Sequence, residues 1–526
     1  METVQYQSKL FLPYLLLTAV LCGALIMVIE VMGSRVIGPF FGVGLFVWTS
    51  LITVTLLALA GGYALGGYFS DRFQTPAYLF IIILIAGVLT LLVPVMKGPV
   101  LKVCMSLGLR GGALVSTTIL FGPALLLLGC VSPYLVKLAA RELKNIGRVV
   151  GGLYALSTVG STIGTVVTGF FLVAYLGVDQ IFTVTGSLLV LLAVGYFILF
   201  QQRWWAVGFL ILPIMLYQSP QAISRTLSDG TQVDLLHKEE SYYGTVKVVD
   251  YSLGDIRYRE MLIDGMVQGG VELDYYQSTY EYNYYFQFIS RLLVPDGKSC
   301  LVIGVGLGVI PNWFEQQGIK CDVVDINPAV VDLAKKYFRF KNSGDIFIED
   351  ARYFLSSTDR RYDYIVLDVF SGEFTPTHLL SLEAVELARD RLTSKGVLAV
   401  NIIGSTQKET YMTASVIKTL QTAFNQVRVF PAYNLAVTTD GVGNLAIMAH
   451  QGEPRSLRVD QVKFQAHPKV LNMVFQNINR QIKFPSGTPA IILTDDFTPI
   501  DFYDGWLRER VRKNILDSTD WDILIS

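Results

Sequence analysis

Residues 364–368 read YIVLD and place the acid Asp368 directly after four apolar residues. The loop that follows begins VFSGEF and contains no basic residue. A carboxylate at the end of a buried strand predicts either a functional-site residue or a residue that caps a loop. The choice between them depends on the elements around Asp368.

Glycines or acids also follow three other predicted strands. They are Gly304, Gly306 and Gly308 after SCLVI, Asp325 at the end of KCDVVD, and Asp350 after DIFIE. Ligands on open α/β sheets bind outside the carboxyl ends of the strands. We therefore expect all of these residues to face the same crevice as Asp368.

The chemistry of this crevice favours a nucleoside without phosphates. A glycine-rich turn lets the backbone approach a ligand closely and opens a helix. Position 309 is Val, so the dinucleotide fingerprint is not met, and the turn has no Lys or Arg for phosphate. Asp325 could accept hydrogen bonds from both ribose hydroxyls. Asp350 could accept from an adenine amino group or cap the next helix. S-adenosylmethionine or a close derivative fits this pattern.

The elements that position these residues belong to two predicted subdomains. Short apolar strands alternate with helices beyond residue 298, which predicts an α/β domain with a doubly wound, mostly parallel sheet at residues 276–526. GTVKVVDYS and YREMLIDGMVQGG predict a small antiparallel β subdomain at residues 230–275. Most tyrosines of residues 274–293 are expected to pack in the core, while one or two line the pocket.

The first 218 residues have a different composition from the rest. Seven apolar stretches lie there, and most exceed the ~20 residues needed to cross a bilayer. They are residues 11–32, 42–68, 76–96, 113–138, 150–175, 180–200 and 204–218. This pattern predicts an all-α, multi-pass transmembrane domain at residues 1–218 that contacts membrane lipid. The segments GGYALGG and GSTIG predict close helix packing.

Two arguments bear on the orientation of this domain. Arg72 follows the second stretch, and Lys137, Arg141, Lys144 and Arg148 follow the fourth, which favours a cytoplasmic N-terminus. Seven crossings would then place the C-terminal part outside the cell, where a cytosolic cosubstrate is missing. The seventh stretch is short and contains a proline, so it can lie in the interface or re-enter. We expect an integral protein of a bacterial-type inner or plasma membrane, with a cytoplasmic C-terminal part.

Composition argues against two further classes of ligand. The net charge is −1, and no basic cluster exists that could neutralise nucleic-acid phosphates. The five cysteines are scattered and the four histidines are isolated from one another, so we expect no metal site.

Several motifs occur together in the order and spacing of a known family. They are ESYYG at 240–244, LIDGMVQGG at 262–270, VIGVGLG at 302–308, VVDINP at 323–328, EDAR at 349–352 and LDVFSGEFTPTHLLS at 367–381. Together they resemble the spermidine synthase, or polyamine aminopropyltransferase, family, and in particular its membrane-fused branch. The resemblance covers about residues 235–450.

This resemblance implies a Rossmann-like catalytic domain of the class I methyltransferase type. Its implied reaction breaks the Cγ–S bond of S-adenosylmethionine or its decarboxylated form and releases methylthioadenosine. The nucleoside would be held by the glycine turn and by Asp325, Ile326, Asp350 and Ala351. Asp368 would deprotonate the attacking amine, without a metal. The expected acceptor is a polyamine, and the expected assembly is a homodimer.

The resemblance also implies a substrate-binding set. It comprises Gln268, Asp264, Tyr243, Tyr282, Ser371 and Glu373. This set departs from the pattern of soluble members, whose loop carries a second acid that helps to hold the polyamine. Ser371 stands at that position, the next acid is Glu373, and Tyr282 is followed by Asn283 instead of His-Glu.

A site with fewer acidic residues binds a polycationic polyamine more weakly. It also repels the carboxylate of intact S-adenosylmethionine less, so two other functions remain alternatives. The alternative is a lyase, in which the carboxylate of intact S-adenosylmethionine attacks its own γ-carbon and releases homoserine lactone. A non-catalytic, nucleoside-binding membrane sensor is a further alternative. A methyltransferase would share the crevice, but the LIDGMVQGG sheet argues against it.

Two acids near the C-terminus could replace the missing anions. The segment ILTDDFTPID places Asp495 and Asp496 before a proline. They are either substrate-binding anions or residues that cap a turn or helix.

Overall fold

The computed structural model describes residues 9–525, apart from residues 43, 141–145, 218–222, 371–374, 434–437, 439, 458–464, 486 and 504. The chain divides into two compact units. The first comprises residues 1–221 with 525–526, and the second comprises residues 222–524.

The first unit is helical. Its helices are α1 (Phe11–Phe41), α2 (Leu45–Arg72), α3 (Pro76–Cys104), α4 (Gly108–Leu120), α5 (Gly122–Gly129), α6 (Val131–Ala140), α7 (Ile146–Val167), α8 (Val173–Tyr175), α9 (Val178–Gln201) and α10 (Leu212–Leu216). A 3₁₀ turn at Met105–Leu107 joins α3 to α4, and a π-helical turn at Thr168–Leu172 joins α7 to α8.

Six segments among the described residues are long and apolar enough to cross a membrane. They are Phe11–Phe41, Leu45–Arg72, Pro76–Leu120, Gly122–Ala139, Gly147–Tyr175 and Val178–Gln201. The prediction of long apolar N-terminal helices is therefore confirmed. The seventh predicted stretch forms a 3₁₀ helix at Trp204–Ile211 and the five-residue helix α10, which together are too short to span.

Glycines bring pairs of these helices into backbone contact. A Cβ atom on Gly160 would overlap the carbonyl oxygen of Val20, and one on Gly164 would overlap that of Ala24. Helices α1 and α7 therefore run parallel, because the residue numbers rise together along the contact. A Cβ on Gly66 would lie 2.6 Å from the Cα of Cys130. The glycine segments predicted to allow close packing thus lie at helix contacts.

A second glycine contact joins antiparallel helices. A Cβ on Gly87 of α3 would lie 2.9 Å from the Cβ of Leu189, and one on Gly186 of α9 would lie 2.6 Å from the Cγ of Leu91. Residue numbers rise in opposite directions along this contact. The first and fifth spans are thus parallel and the third and sixth antiparallel, as expected when successive spans alternate in direction.

The second unit begins with a six-stranded antiparallel sheet in sequential strand order. Its strands are β1 (Ser224–Thr226), β2 (Gln232–Ser241), β3 (Gly244–Leu253), β4 (Ile256–Ile263), β5 (Met266–Glu272) and β6 (Gln277–Ser278). Met261 pairs with Gly269 and Leu262 pairs with Val267, so Gln268 has no partner on β4. This irregularity is a β-bulge, a feature that is common beside active sites.

A seven-stranded sheet follows, in the order β12-β13-β11-β10-β7-β8-β9. Its strands are β7 (Ser299–Ile303), β8 (Lys320–Asp325), β9 (Ile346–Ile348), β10 (Tyr362–Leu367), β11 (Leu392–Ser405), β12 (Gln426–Pro431) and β13 (Val442–His450). Strands β7 to β11 pair in parallel, whereas β13 runs antiparallel to both of its neighbours, β11 and β12. The structure confirms the prediction that a small antiparallel sheet is followed along the chain by a mostly parallel α/β sheet.

Helices pack on both faces of this sheet. They are α11 (Tyr282–Leu293), α12 (Val309–Gln316), α13 (Pro328–Tyr337), α14 (Ala351–Ser357), α15 (Leu382–Asp390), α16 (Tyr411–Ala423), α17 (Pro468–Asn477), α18 (Ile500–Tyr503) and α19 (Gly505–Ser518). The last helix, α20 (Trp521–Ile525), packs its Ile523 against the antiparallel sheet instead. Alternate residues of β7 pack in two separate hydrophobic cores. Val302 lies in one of these cores, and Leu301 lies in the other. The strand order reverses between β7 and β10, which is where ligands bind in such sheets.

Candidate active site

The ends of β7 and β10 meet at this reversal point. The backbone N–H of Asp368 donates to the carbonyl of Ile303 at 2.9 Å. A Cβ on Gly304 would overlap the carbonyl oxygen of Asp368, and the φ of Gly304 is +90°. Only glycine fits there, because the backbones approach closely and φ is positive. The structure therefore places the glycine turn and Asp368 side by side.

The other two glycines of the turn have different surroundings. Gly308 precedes α12 with φ +78°, and a Cβ there would lie 2.6 Å from the ring of Phe340. Gly306 has φ +51°, and its Cβ position meets nothing within 4 Å. The backbone at Gly306 is thus open to a ligand.

Asp325 ties the end of β8 to the glycine turn. Its carboxylate accepts hydrogen bonds from the backbone N–H groups of Val305 and Asn327, both at 2.8 Å. Burial raises the pKa of Asp325, although these two hydrogen bonds oppose the rise. Each carboxylate oxygen can accept more than one hydrogen bond, so capacity remains for ribose. The neighbouring Ile326 exposes an apolar side chain.

A further contact links this loop to the antiparallel sheet. The side-chain amide of Asn327 donates to Ser241 Oγ at 3.1 Å. Ser241 belongs to the ESYYG segment and also accepts from the backbone N–H of Tyr243. The ring of Tyr243 is 47% exposed, so it remains available to a ligand.

Asp350 caps α14. Its Oδ1 accepts from the backbone N–H groups of Arg352 at 2.9 Å and Tyr353 at 3.0 Å, and its Oδ2 lies 3.4 Å from His378 Nε2. The capping role considered from the sequence is therefore present in the fold. Ala351 is buried as the first residue of α14. A contact of Asp350 with adenine stays a prediction.

Asp368 is a partly buried carboxylate with a neutral partner. Its Oδ1 accepts a hydrogen bond of 2.8 Å from the amide of Asn401. Burial raises the pKa of Asp368 to about 6, against the lowering effect of that hydrogen bond. Among the described residues, no Lys, Arg or His forms an ion pair with it. Asp368 therefore has the properties of a base that works near neutral pH.

Tyr282 lies beside Asp368. Burial, and secondarily the charge of Asp368, raise the pKa of Tyr282 well above its usual value. Its hydroxyl donates to the backbone carbonyl of Gln268 at 3.2 Å. Tyr284 and Tyr285 are instead buried in the core. One tyrosine of the predicted Tyr-rich helix thus reaches the site, while its neighbours pack.

Two other residues of the proposed substrate set lie on the antiparallel sheet. Gln268 lies in the β-bulge, and its side-chain amide donates to the carbonyl of Met266 at 3.2 Å. Asp264 lies in the turn between β4 and β5 with φ +48°, and its Oδ1 accepts from the N–H of Thr245 at 2.8 Å. Asp264 therefore stabilises this turn, and its contact with a substrate stays a prediction.

The candidate replacement anions occupy a tight turn. Thr494 and Phe497 form an isolated β-bridge around Asp495 and Asp496. Both guanidinium arms of Arg352 contact the carboxylate of Asp495 and hold its pKa at about 2. The charge of Asp495 is therefore already balanced, while Asp496 is exposed. Ser371 and Glu373 lie outside the described residues.

Two side chains that the sequence reasoning missed lie behind Asp368. Asn401 is fully buried on β11, and its Oδ1 accepts from Asn444 of β13 at 3.1 Å. The available signal was a polar amide inside the apolar strand GVLAVNII. A buried amide needs partners, and here one of them is the candidate base.

Known proteins resemble the C-terminal part of this chain. The profile of the spermine/spermidine synthase domain matches residues 284–452. A polyamine aminopropyltransferase of Vibrio vulnificus is 24% identical over 289 residues, which are 51% of this chain and 91% of that protein. An N-terminal histidine N-methyltransferase of Emericella nidulans is 35% identical over 139 residues, and this match spans 25% of its length.

A solved structure shows a partial likeness. A probable spermidine synthase from Corynebacterium glutamicum has 17% sequence identity and a TM-score of 0.37, and the match covers 56% of this chain and 94% of that chain. The C-terminal part of this chain, which follows a set of long apolar helices, contains a spermine/spermidine synthase domain.

Proposed function

We propose that this protein transfers the aminopropyl group of decarboxylated S-adenosylmethionine to a polyamine and releases methylthioadenosine. The observation that carries the proposal is the position of Asp368, a partly buried carboxylate beside the glycine turn with a pKa of about 6. The matched synthase domain and the aminopropyltransferase relatives support the same reaction.

The transfer is an in-line displacement at carbon. The nitrogen of the acceptor amine forms a bond to the γ-carbon, while the bond from that carbon to the sulfonium sulfur breaks. The electron pair stays on sulfur and leaves neutral methylthioadenosine. The amine loses a proton to Asp368, because a protonated amine has no lone pair for the attack. Asp325 and the open backbone at Gly306 would align the donor.

The lyase is the second candidate, and one observation favours it. Arg352 neutralises Asp495, so that acid does not supply the anion that soluble family members use to hold a polyamine. A site with few free anions would tolerate the carboxylate of intact S-adenosylmethionine. That carboxylate could attack the γ-carbon itself, and no proton would need to be removed.

Methyl transfer is a third candidate because of the methyltransferase relative. It would use intact S-adenosylmethionine and an amine acceptor, and its nucleoside product would be S-adenosylhomocysteine. The nucleoside product therefore distinguishes methyl transfer from both reactions that break the Cγ–S bond.

The decisive experiment incubates the purified full chain with each sulfonium, with and without putrescine or spermidine, and identifies products by mass. Methylthioadenosine formed only with the decarboxylated donor and an amine is the expected result. Release from S-adenosylmethionine without amine would establish the lyase instead. Nucleoside binding without any product would indicate a sensor.

Asp368→Asn sharpens this experiment. The amide keeps the shape of the carboxylate but cannot accept the proton, so amine transfer should fall roughly 10²–10⁴-fold. Lyase activity should fall less, because its nucleophile is already ionised. Asp359→Asn is the matched control, since Asp359 is an exposed acid that precedes β10. An Asp368→Asn variant that transfers at the wild-type rate would refute the base assignment.

A further inference from the structure

A chain of two side-chain amides runs from Asp368 into the sheet. Asn401 Nδ2 donates to Asp368 Oδ1 at 2.8 Å, and Asn444 Nδ2 donates to Asn401 Oδ1 at 3.1 Å. Asn401 lies on β11 and Asn444 on the antiparallel neighbour β13. The two amides thus form a hydrogen-bonded relay behind the candidate base.

The directions of these hydrogen bonds depend on one another. Asn401 has an NH₂ group on one side of its amide and an oxygen on the other. When its NH₂ group faces the ionised Asp368, its oxygen faces Asn444, which must then donate. When Asp368 carries a proton, the whole relay can reverse: the carboxyl O–H donates to the Asn401 oxygen, and Asn401 donates to the Asn444 oxygen. Each protonation state of Asp368 therefore has its own amide arrangement.

We propose that Asn444 is a positioning residue that keeps the NH₂ group of Asn401 directed at Asp368 and thereby sets the pH range in which this base works. The proposal rests on the proposed transfer reaction, in which Asp368 accepts the amine proton. Asn444 acts only through Asn401.

The other described groups around Asp368 do not orient the side-chain amide of Asn401. Among the residues that the structure describes, Tyr282 of α11 is the titratable group that faces Asp368, and its hydroxyl is engaged with Gln268. Thr375 Oγ1 donates to the backbone carbonyl of Asn401 at 2.9 Å, which fixes the backbone and not the amide. Within the described parts of the chain, Asn444 is the residue bonded to the far side of the Asn401 amide.

Two variants of Asn444 test the proposal. Asn444→Leu keeps the size of the side chain but removes the donor without adding charge. The acid limb of the pH profile of methylthioadenosine release should move up by about half a pH unit, because Asn401 loses its orientation. The carboxylate introduced by Asn444→Asp can only accept a hydrogen bond, so the amide of Asn401 must turn its NH₂ group away from Asp368. The acid limb should then move up by about one pH unit or more. Both variants should recover activity within about threefold at alkaline pH, where Asp368 is ionised.

Asn477→Asp is the matched control, because the Asn477 amide is buried and, like that of Asn444, donates to an oxygen, here the carbonyl of Tyr433. Its profile should keep the wild-type midpoint. A shift in Asn444→Asp with none in Asn444→Leu would reduce the effect to added charge and overturn the proposal. If the Asn444 variants lowered the rate by the same factor at every pH, the role of Asn444 would be merely structural, and this result would also overturn the proposal.

A second readout separates this proposal from the proposed function. Infrared titration can follow the protonated carboxyl band of Asp368, which is assigned by its loss in Asp368→Asn and needs no substrate. Its midpoint should rise in both Asn444 variants even if the wild-type protein proves to catalyse another reaction. Unchanged midpoints would refute the relay, whereas absence of amine-dependent product in the wild type would refute only the transfer reaction.

Discussion

At the scale of single residues, Asp368 shows how burial and a neutral donor produce a useful base. Burial raises its pKa toward neutrality, and the amide of Asn401 offers a hydrogen bond without a positive charge. A cationic partner such as the one on Asp495 has the opposite effect and holds that pKa at about 2. The two acids therefore differ in chemistry because their partners differ.

Asp325 allows a test of the nucleoside site. Hydrogen bonds from ribose to a carboxylate are worth about 1.5–3 kcal/mol each, so Asp325→Ala should weaken methylthioadenosine binding at least about tenfold. The alanine also frees the N–H groups of Val305 and Asn327, so Asp325→Asn should be measured beside it as the more conservative variant. Calorimetry on the full chain checks this, and unchanged affinity would remove Asp325 from the site.

At the scale of elements, the glycines of α7 make a prediction about helix packing. Gly160 contacts the backbone of α1, whereas Gly152 of the same helix has open space around its Cβ position. Gly160→Val should destabilise the helical unit by about 1–3 kcal/mol or more, because the side chain must push α1 away. Gly152→Val is the matched control and should change little. Equal melting temperatures of the two variants in detergent would contradict the described contact.

A partly buried acid on β4, Glu260, makes a prediction about pH. Burial raises the pKa of Glu260 to about 7, although the hydroxyl of Tyr280 donates to it at 3.1 Å. The folded state thus holds a proton that the unfolded state releases, so stability falls as pH rises from about 4.5 to about 7. Glu260→Gln removes this loss and should add up to about 3 kcal/mol above pH 7 and little near pH 5.

The melting temperature of the full chain, measured across this pH range, tests the Glu260 prediction. Glu239→Gln is the control, because Glu239 is an exposed acid on β2. A gain of the same size at pH 5 and pH 8 would show that ionisation of Glu260 is not its cause.

At the scale of the whole molecule, the six candidate spans make a prediction about membrane topology. Six crossings would return the chain to the side on which it started, so we expect the domain after the sixth candidate span on the side of the N-terminus. Arg72 and Lys137 lie at the ends of the second and fourth spans, which face the same side. From the positive-inside rule we predict that this side is cytoplasmic.

This topology predicts that a C-terminal tag is protected from protease in intact cells or spheroplasts and becomes accessible after permeabilisation. A tag in the segment between the first two spans should behave in the opposite way and serves as the control. Digestion of the C-terminal tag in intact spheroplasts would contradict the cytoplasmic placement.

Periodic features of the chain could be predicted from the sequence because each depends on local residues. Apolar length predicted the long N-terminal helices, and the alternation of strands and helices predicted the α/β sheet. The ligand crevice at the glycine turn stays a prediction. The structure of the seventh apolar stretch was harder to predict from the sequence. Composition alone does not show whether Trp204–Ile211 and α10 form one long helix or two short ones.

The sequence alone thus determined the order of the domains, the position of Asp368 at a strand end and the resemblance to the spermidine synthases. Only the tertiary structure decided what contacts each polar side chain. It placed Asn444 behind Asn401, engaged Asp264 and Asp350 with backbone N–H groups, and paired Asp495 with Arg352. These contacts join residues far apart in the chain, and they depend on strand order and register, which local patterns do not specify.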